Sequence, residues 1–298
     1  MTGAADTPPA WRVWISAMRM RTLPAAVSPV VVGTALAMHD HRPLPAAAGL
    51  CLAFAVLVQI GTNFANDYYD FVHGADNETR VGPRRAVASG LVTPGAMRAA
   101  MVGVFAAAFL AGLGLIHWGG PWMLAIGLGS IACGVAYTGG PWPLGYHGFG
   151  DLFVFIFFGL VAVCATYFVQ AGPLSLHSVL AGAAMGALSA NILLVNNYRD
   201  AETDAAARKR TLVVRFGKRA ARIQFAACLV VALAVPFVFW ATGYRAWCLL
   251  PVALAPLAWM HLRRLVPGAS PADLVALLGD TAKLTALYAG LFAAGVLL

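Results

Sequence analysis

Hydrophobic and polar positions alternate along this chain on the scale of membrane spans rather than of soluble helices. Nine apolar stretches, 22–38, 44–66, 99–117, 121–138, 152–171, 176–197, 223–242, 246–262 and 281–298, are almost free of Lys, Arg, Asp and Glu. Each is close to the roughly 17 to 25 residues with which an α-helix crosses a bilayer. Strands of a transmembrane barrel would alternate with a period of two, so solid apolar runs predict helices instead. The pattern predicts an all-α polytopic membrane protein: nine transmembrane helices in a bundle, forming one domain over 1–298. Within 1–21, Trp11, Trp14, Ile15 and Met18 fall at i, i+3, i+4 and i+7, with Arg12, Ser16 and Arg19 on the other side. That spacing predicts an amphipathic helix lying in the membrane interface.

Composition agrees with the pattern. Only 11% of residues are charged and 60% are hydrophobic, against about 25% charged in a soluble domain. The net charge of +8 would suit nucleic acid, but the basic residues are dispersed over alternate loops rather than gathered on one face, so no nucleic-acid partner is expected. If the N-terminus is cytoplasmic, 18 basic residues fall on that side and only Arg42 and Arg245 on the other. This positive-inside bias predicts a cytoplasmic N-terminus and an opposite C-terminus in the cell membrane. Cys51, Cys133, Cys164, Cys228 and Cys248 all lie in apolar runs at no ligand-like spacing, which predicts small buried side chains and no disulfide or zinc site. No removable signal peptide and no obligate protein partner are indicated.

The acidic residues break the apolar monotony. Seven of the 12 sit in two short segments, Asp67, Asp70, Asp76 and Glu78 in one and Asp200, Glu202 and Asp204 in the other. Asn63, Asp67 and Asp70 are at i, i+4 and i+7 on a helix, and Asn196, Asp200 and Asp204 at i, i+4 and i+8, so each set lines one face. The segments end the second and sixth spans, four helices apart and on the same, cytoplasmic side. This predicts a parallel four-helix internal repeat. Crowded carboxylates repel unless cations neutralise them, and hard oxygen ligands at a bundle mouth suit Mg²⁺. Two such clusters facing each other could hold one or two Mg²⁺. Basic residues follow both clusters, and metal-bound carboxylates beside Arg and Lys suit a diphosphate. Arg80, Arg85, Arg199, Lys209 and Arg210 are the candidate anion contacts, with Asn63, Asn66, Asn196 and Asn197 supporting them. The active-site loops are expected at 67–98 and 198–222.

With these residues in view, the chain resembles the UbiA superfamily of intramembrane aromatic prenyltransferases. The segments NDYYDFVHGADNETRVGPRR (66–85), YTGGPWPLGYHGFGD (137–151) and NNYRDAETDAAARKRTLVVRFG (196–217) look most like its menaquinone-pathway branch. One departure is visible: Arg208 stands where that branch has Gly before Lys-Arg-Thr-Leu, which alters the local turn and leaves Lys209 and Arg210 in place. The resemblance implies Mg²⁺-dependent transfer of a polyprenyl group from its diphosphate to 1,4-dihydroxy-2-naphthoate, with loss of the ring carboxylate, giving demethylmenaquinone. It also implies that Asp67, Asp70, Asp76, Asp200 and Asp204 are the metal ligands, organising Mg²⁺ and diphosphate. The loop Gly139–Gly150 lacks Lys and Arg and is expected to cap the site. Tyr137, Tyr146 and Asp151 are candidates to orient the ring hydroxyls or assist proton removal, Tyr146 being the weakest of the three, whereas His73 and His147 more simply pack. Phe153, Phe155, Phe157, Phe158, Tyr167 and Phe168 are expected mostly to pack or face lipid.

Two other readings share these features. A sister prenyltransferase acting on 4-hydroxybenzoate, homogentisate or haem would keep the diphosphate half of the site. An ion-coupled transporter also uses repeats and intramembrane acids, but it would place them near the bilayer midplane and not at helix ends.

Overall fold

A computed structural model describes residues 8–40, 44–74 and 85–298. Asp76, Glu78, Arg80 and Arg84 lie outside the described residues. Every described element is helical: α1 Ala10–Met18, α2 Pro24–Asp40, α3 Pro45–Val72, α4 Pro94–Gly119, α5 Trp122–Ala136, α6 Gly150–Ala171, α7 Leu176–Arg199, α8 Ala201–Ala206, α9 Leu212–Ala241, α10 Ala246–Arg264 and α11 Pro271–Leu297. Seven of these are long and apolar enough to cross a membrane. An eighth span arises if Ala10–Thr22 and Pro24–Asp40, bent by 52°, count as one, and α5 is apolar but only 15 residues long. A helix covers each of the nine expected spans.

The helix starts are written locally. Thr93, Ser175, Thr211 and Ser270 each accept a hydrogen bond from a backbone N–H of the first turn, and Pro94 and Pro271 follow two of them. These are the residue types that satisfy the orphan donors of a helix N-terminus. Within α10, Ala246–Leu254 is wound as a tighter 3-10 helix containing Pro251, as a proline-interrupted apolar run requires.

Helix α7 is the centre of the bundle, buried along most of its length and packed against α6, α9 and α11. Its small residues allow this. A side chain on Gly159 of α6 would collide with the backbone of Gly186, so the two helices meet backbone to backbone there. At that contact α6 changes its winding: Ile156–Val161 forms a π-helical segment between two α-helical ones. A smaller core joins α1, α3 and α4, where Val13 and Ala17 are buried and Trp14 meets Phe64 edge to face at 5.6 Å. Trp11 and Ile15 remain exposed on the outer face of α1. Helices α3 and α7, four apart, end on the same side of the bundle, the arrangement that the internal repeat predicts.

Candidate active site

The C-terminal ends of α3 and α7 face each other across a polar cavity of about 140 Å³. Asn63, Asn66, Asp70 and Arg85 line it from one side, Asn196, Asn197 and Lys209 from the other, and Tyr137 and Thr138 from the end of α5. The two motifs separated by more than a hundred residues thus form one site. Of the five described motif carboxylates, Asp67, Asp70, Asp200 and Asp204 are at most 8% exposed, and only Glu202 is exposed.

Each acid has its own compensation. Asp70 accepts from Arg85 at 3.0 Å and from the Tyr146 hydroxyl at 2.8 Å. Asp200 takes a two-pronged contact from its neighbour Arg199, Nε at 2.7 Å and a terminal nitrogen at 2.6 Å, and Arg199 also donates to Asn196. Such forked Arg–carboxylate pairs are strong because both bonds are charge-assisted. Lys209 stands 3.6 Å from Asp204. Asp67 does something different: its oxygens accept the backbone N–H groups of Ala86 and Val87 at 3.1 and 3.0 Å. It pins the chain segment that carries Arg85 to Asp70. Of the four buried acids only Asp70 lines the cavity itself, and Asp200 and Asp204 lie between Asn197 and Lys209 in sequence.

Asp204 is the least satisfied member. Its Oδ2 is buried without a hydrogen-bond partner. Burial pushes its pKa up to about 6, Lys209 pulls against this, and Asp200 and Asp70 add to it. Among the described residues no three acidic, His or Cys side chains converge as a ready metal cluster. An under-compensated buried carboxylate beside two more is nonetheless the donor chemistry that a hard divalent cation fits.

The loop from 139 to 150 lies over the site. Tyr146 reaches Asp70, its ring lies 5.4 Å from the Lys209 ammonium, and its carbonyl accepts from the Arg210 N–H. Arg215 donates to the carbonyl of His147. The cap is therefore stitched to both motifs, and Tyr146, the weakest of the three candidates, contacts Asp70 directly. Arg210 contributes its backbone here while the residue itself is exposed. Asn63 donates to the Met18 carbonyl at 2.9 Å, tying α3 to the junction of α1 and α2. Asp151 departs from expectation: it lines neither cavity and accepts from Gln224 of α9 at 2.9 Å, because the first turn of α6 turns its carboxylate toward α9. Tyr137 does face the cavity.

Beneath the polar cavity lies an apolar one of about 120 Å³ between α2, α3, α5 and α6. Thr62, Tyr137, Val154 and Phe158 line both, so the two cavities share a wall. From α6 it is walled by Phe153, Val154, Phe157, Phe158, Val161, Ala162, Ala165 and Thr166. Phe153, Phe157 and Phe158 therefore serve the cavity. Phe155 instead packs on Gly186, Phe168 joins a core cluster, and Tyr167 donates to Asp40. Arg19, Gln59 and Thr138 also line the polar cavity. A lone polar residue inside an apolar run was the signal for Gln59.

Among the described residues, a helical bundle whose two acidic, cation-flanked helix ends stand over an apolar chamber has the architecture of an intramembrane enzyme. Residues 26–284 match the UbiA prenyltransferase family, and the chain belongs to that family. It is a prenyltransferase and a multi-pass membrane protein. A relative from Mycobacterium tuberculosis, named 1,4-dihydroxy-2-naphthoate octaprenyltransferase, is 42% identical over 90% of this chain and 91% of its own. Among solved structures, a UbiA homologue from Aeropyrum pernix has a TM-score of 0.69 at 18% identity, covering 92% of this chain and 96% of that one. A UbiA homologue from Archaeoglobus fulgidus bound to DMAPP and Mg²⁺ has a TM-score of 0.63 at 15% identity, covering 94% and 98%.

Proposed function

We propose that this enzyme transfers a polyprenyl group from polyprenyl diphosphate to 1,4-dihydroxy-2-naphthoate at the cytoplasmic face of the cell membrane, with loss of the ring carboxylate as CO₂. The product is demethylmenaquinone in its hydroquinone state, since no electrons leave the system. The observation that carries the reading is a polar cavity flanked by acids and cations set directly against an apolar chamber, which matches a diphosphate head on a prenyl tail. The name of the Mycobacterium tuberculosis relative supports the acceptor, and the basic bias of the loops supports a cytoplasmic site.

Asp70, Asp200 and Asp204 are the residues that would hold Mg²⁺, joined by Asp76, while Asp67 fixes the loop behind them. When bound, the metal supplies charge neutralisation for the departing diphosphate. Arg85, Lys209 and Arg199, already within the site, hold the remaining anionic charge, with Arg80 in the adjoining segment. Asn66, Asn196 and Asn197 supply neutral hydrogen bonds, and the exposed Arg210 anchors the cap. As the C–O bond of the allylic diphosphate breaks, the electron pair stays on the diphosphate and positive charge grows on the prenyl carbon. The ring faces of Phe153, Phe157 and Phe158 and the cap over the mouth keep water from that carbon, leaving the acceptor ring as the nucleophile. Tyr137, at the junction of the two cavities, is positioned to orient the acceptor.

Product analysis tests this directly. Purified protein given 1,4-dihydroxy-2-naphthoate and a short allylic diphosphate is expected to form a prenylated, decarboxylated naphthalenediol with Mg²⁺ and none with chelator. No such product, with turnover of 4-hydroxybenzoate in competition, would assign the chain to a sister branch.

A further inference from the structure

The polar cavity contains hydrogen-bonding groups that the diphosphate does not use. Ser189 of α7 lines it and is 1% exposed, yet its hydroxyl has no hydrogen-bond partner. Other buried helix hydroxyls in this bundle behave differently. Those of Ser130, Thr281 and Thr285 each donate to the carbonyl four residues earlier, at 2.8 to 3.0 Å. Gln59 of α3 lines the same cavity; its Nε2 donates to Thr22 at 2.9 Å, and its Oε1 accepts nothing among the described residues. Both residues lie on the membrane side of the site. Gln59 is one helical turn below Asn63 and Ser189 two turns below Asn196, about 6 Å and about 10 Å along the helix axes. The wall around them is apolar, with Val154, Phe158 and Leu193.

We propose that Ser189, with Gln59, binds a phenolic hydroxyl of the aromatic acceptor and so sets which ring carbon faces the prenyl group. This rests on the function proposed above and names the specificity-determining contact within it. The assignment follows by elimination among the three parts of the reactants. The diphosphate is an anion whose cationic partners stand at the cavity mouth. The prenyl tail has no polar atom, and it lies in the apolar chamber. The acceptor alone brings neutral groups that both donate and accept. A phenol donating to the Gln59 carbonyl and accepting from the Ser189 hydroxyl satisfies both at once, whereas either left unpaired in a dry site is unfavourable. A site built to bond a hydroxyl discriminates strongly against an analogue that lacks it.

The test uses the full-length enzyme with Mg²⁺ and a short allylic diphosphate, comparing wild type, Ser189→Ala, Ser189→Cys and Ser189→Thr. With 1,4-dihydroxy-2-naphthoate, Ser189→Ala is expected to raise the acceptor KM about tenfold and leave the KM for the diphosphate unchanged. Ser189→Cys, of similar volume and a weaker donor, should fall between, and Ser189→Thr should restore the wild-type value. Against the two monohydroxy-2-naphthoates, the alanine variant should lose the penalty that wild type imposes on one of them. An unchanged acceptor KM, or an equal rise in both KM values, would overturn the assignment. Wild-type inactivity with 1,4-dihydroxy-2-naphthoate would instead remove the function on which it rests.

Discussion

Asp204 shows how a single residue can be costly to the fold and necessary to the chemistry. Its carboxyl has a pKa of about 6 in the folded protein, above an ordinary value near 4, so the fold favours the neutral form. The stabilising contribution is therefore complete below about pH 4 and lost as pH rises through 6; at neutral pH the buried charge is a liability of about 3 kcal/mol, as an upper bound. In chelator, Asp204→Asn is expected to melt higher than wild type at pH 7.5, with the gain shrinking as the pH falls through 6 and absent below about 4. The same variant should lose at least tenfold in prenyl transfer. Thermal unfolding in detergent across that range checks the sign, and a pH-independent difference would remove the role given to burial. At this scale the sequence disclosed the acids, Arg85, Arg199 and Lys209, because like charges crowded into so apolar a chain demand compensation. It did not disclose that Asp67 would be spent on two backbone N–H groups, or that Asp151 would face Gln224. Those outcomes depend on which loop or helix arrives opposite, which periodicity does not encode. Arg208 was legible only as an oddity: its φ is 59°, in the left-handed region that glycine adopts without strain, which explains why the related branch has Gly there.

Among the elements, α6 and α7 set the geometry of the chamber. Their closest approach depends on Gly159 and Gly186, where no side chain fits. Gly159→Ala is expected to destabilise the protein by about 1–3 kcal/mol through overpacking. Gly290→Ala, at an open position of α11, should be neutral or gain up to about 1 kcal/mol from helix propensity. Melting temperatures of the two variants side by side give the comparison; equal effects would mean that the backbone contact is not what holds the helices together. The spans and their order were legible from hydropathy, since nothing else satisfies the backbone in lipid. The 52° bend where Pro24 begins a new helix and the π-helical segment were not read from hydropathy, which carries neither signal. Tyr146 lay hidden for a related reason: a Gly/Pro-rich loop has no period from which an inward residue can be read.

For the whole molecule, the bias of basic residues predicts the orientation in the membrane proposed above. With a cytoplasmic site, the loop after α6 lies outside and the segment after Arg85 inside. In intact cells a membrane-impermeant maleimide is expected to label Leu174→Cys and to spare Ala88→Cys until the cells are permeabilised; the reverse pattern would invert the topology. One structural feature has a reach beyond its six residues. The walls contributed by α6, at positions 153, 157, 161 and 165 with their neighbours 154, 158, 162 and 166, repeat every four residues. In an ordinary α-helix a four-residue step advances about 400°, so such a stripe drifts by about 40° each turn and spirals away from its partner. The wider turn at Ile156–Val161 absorbs much of that drift. A stripe that drifts less around its helix offers a linear hydrocarbon a straighter wall to lie along than an uninterrupted α-helix would.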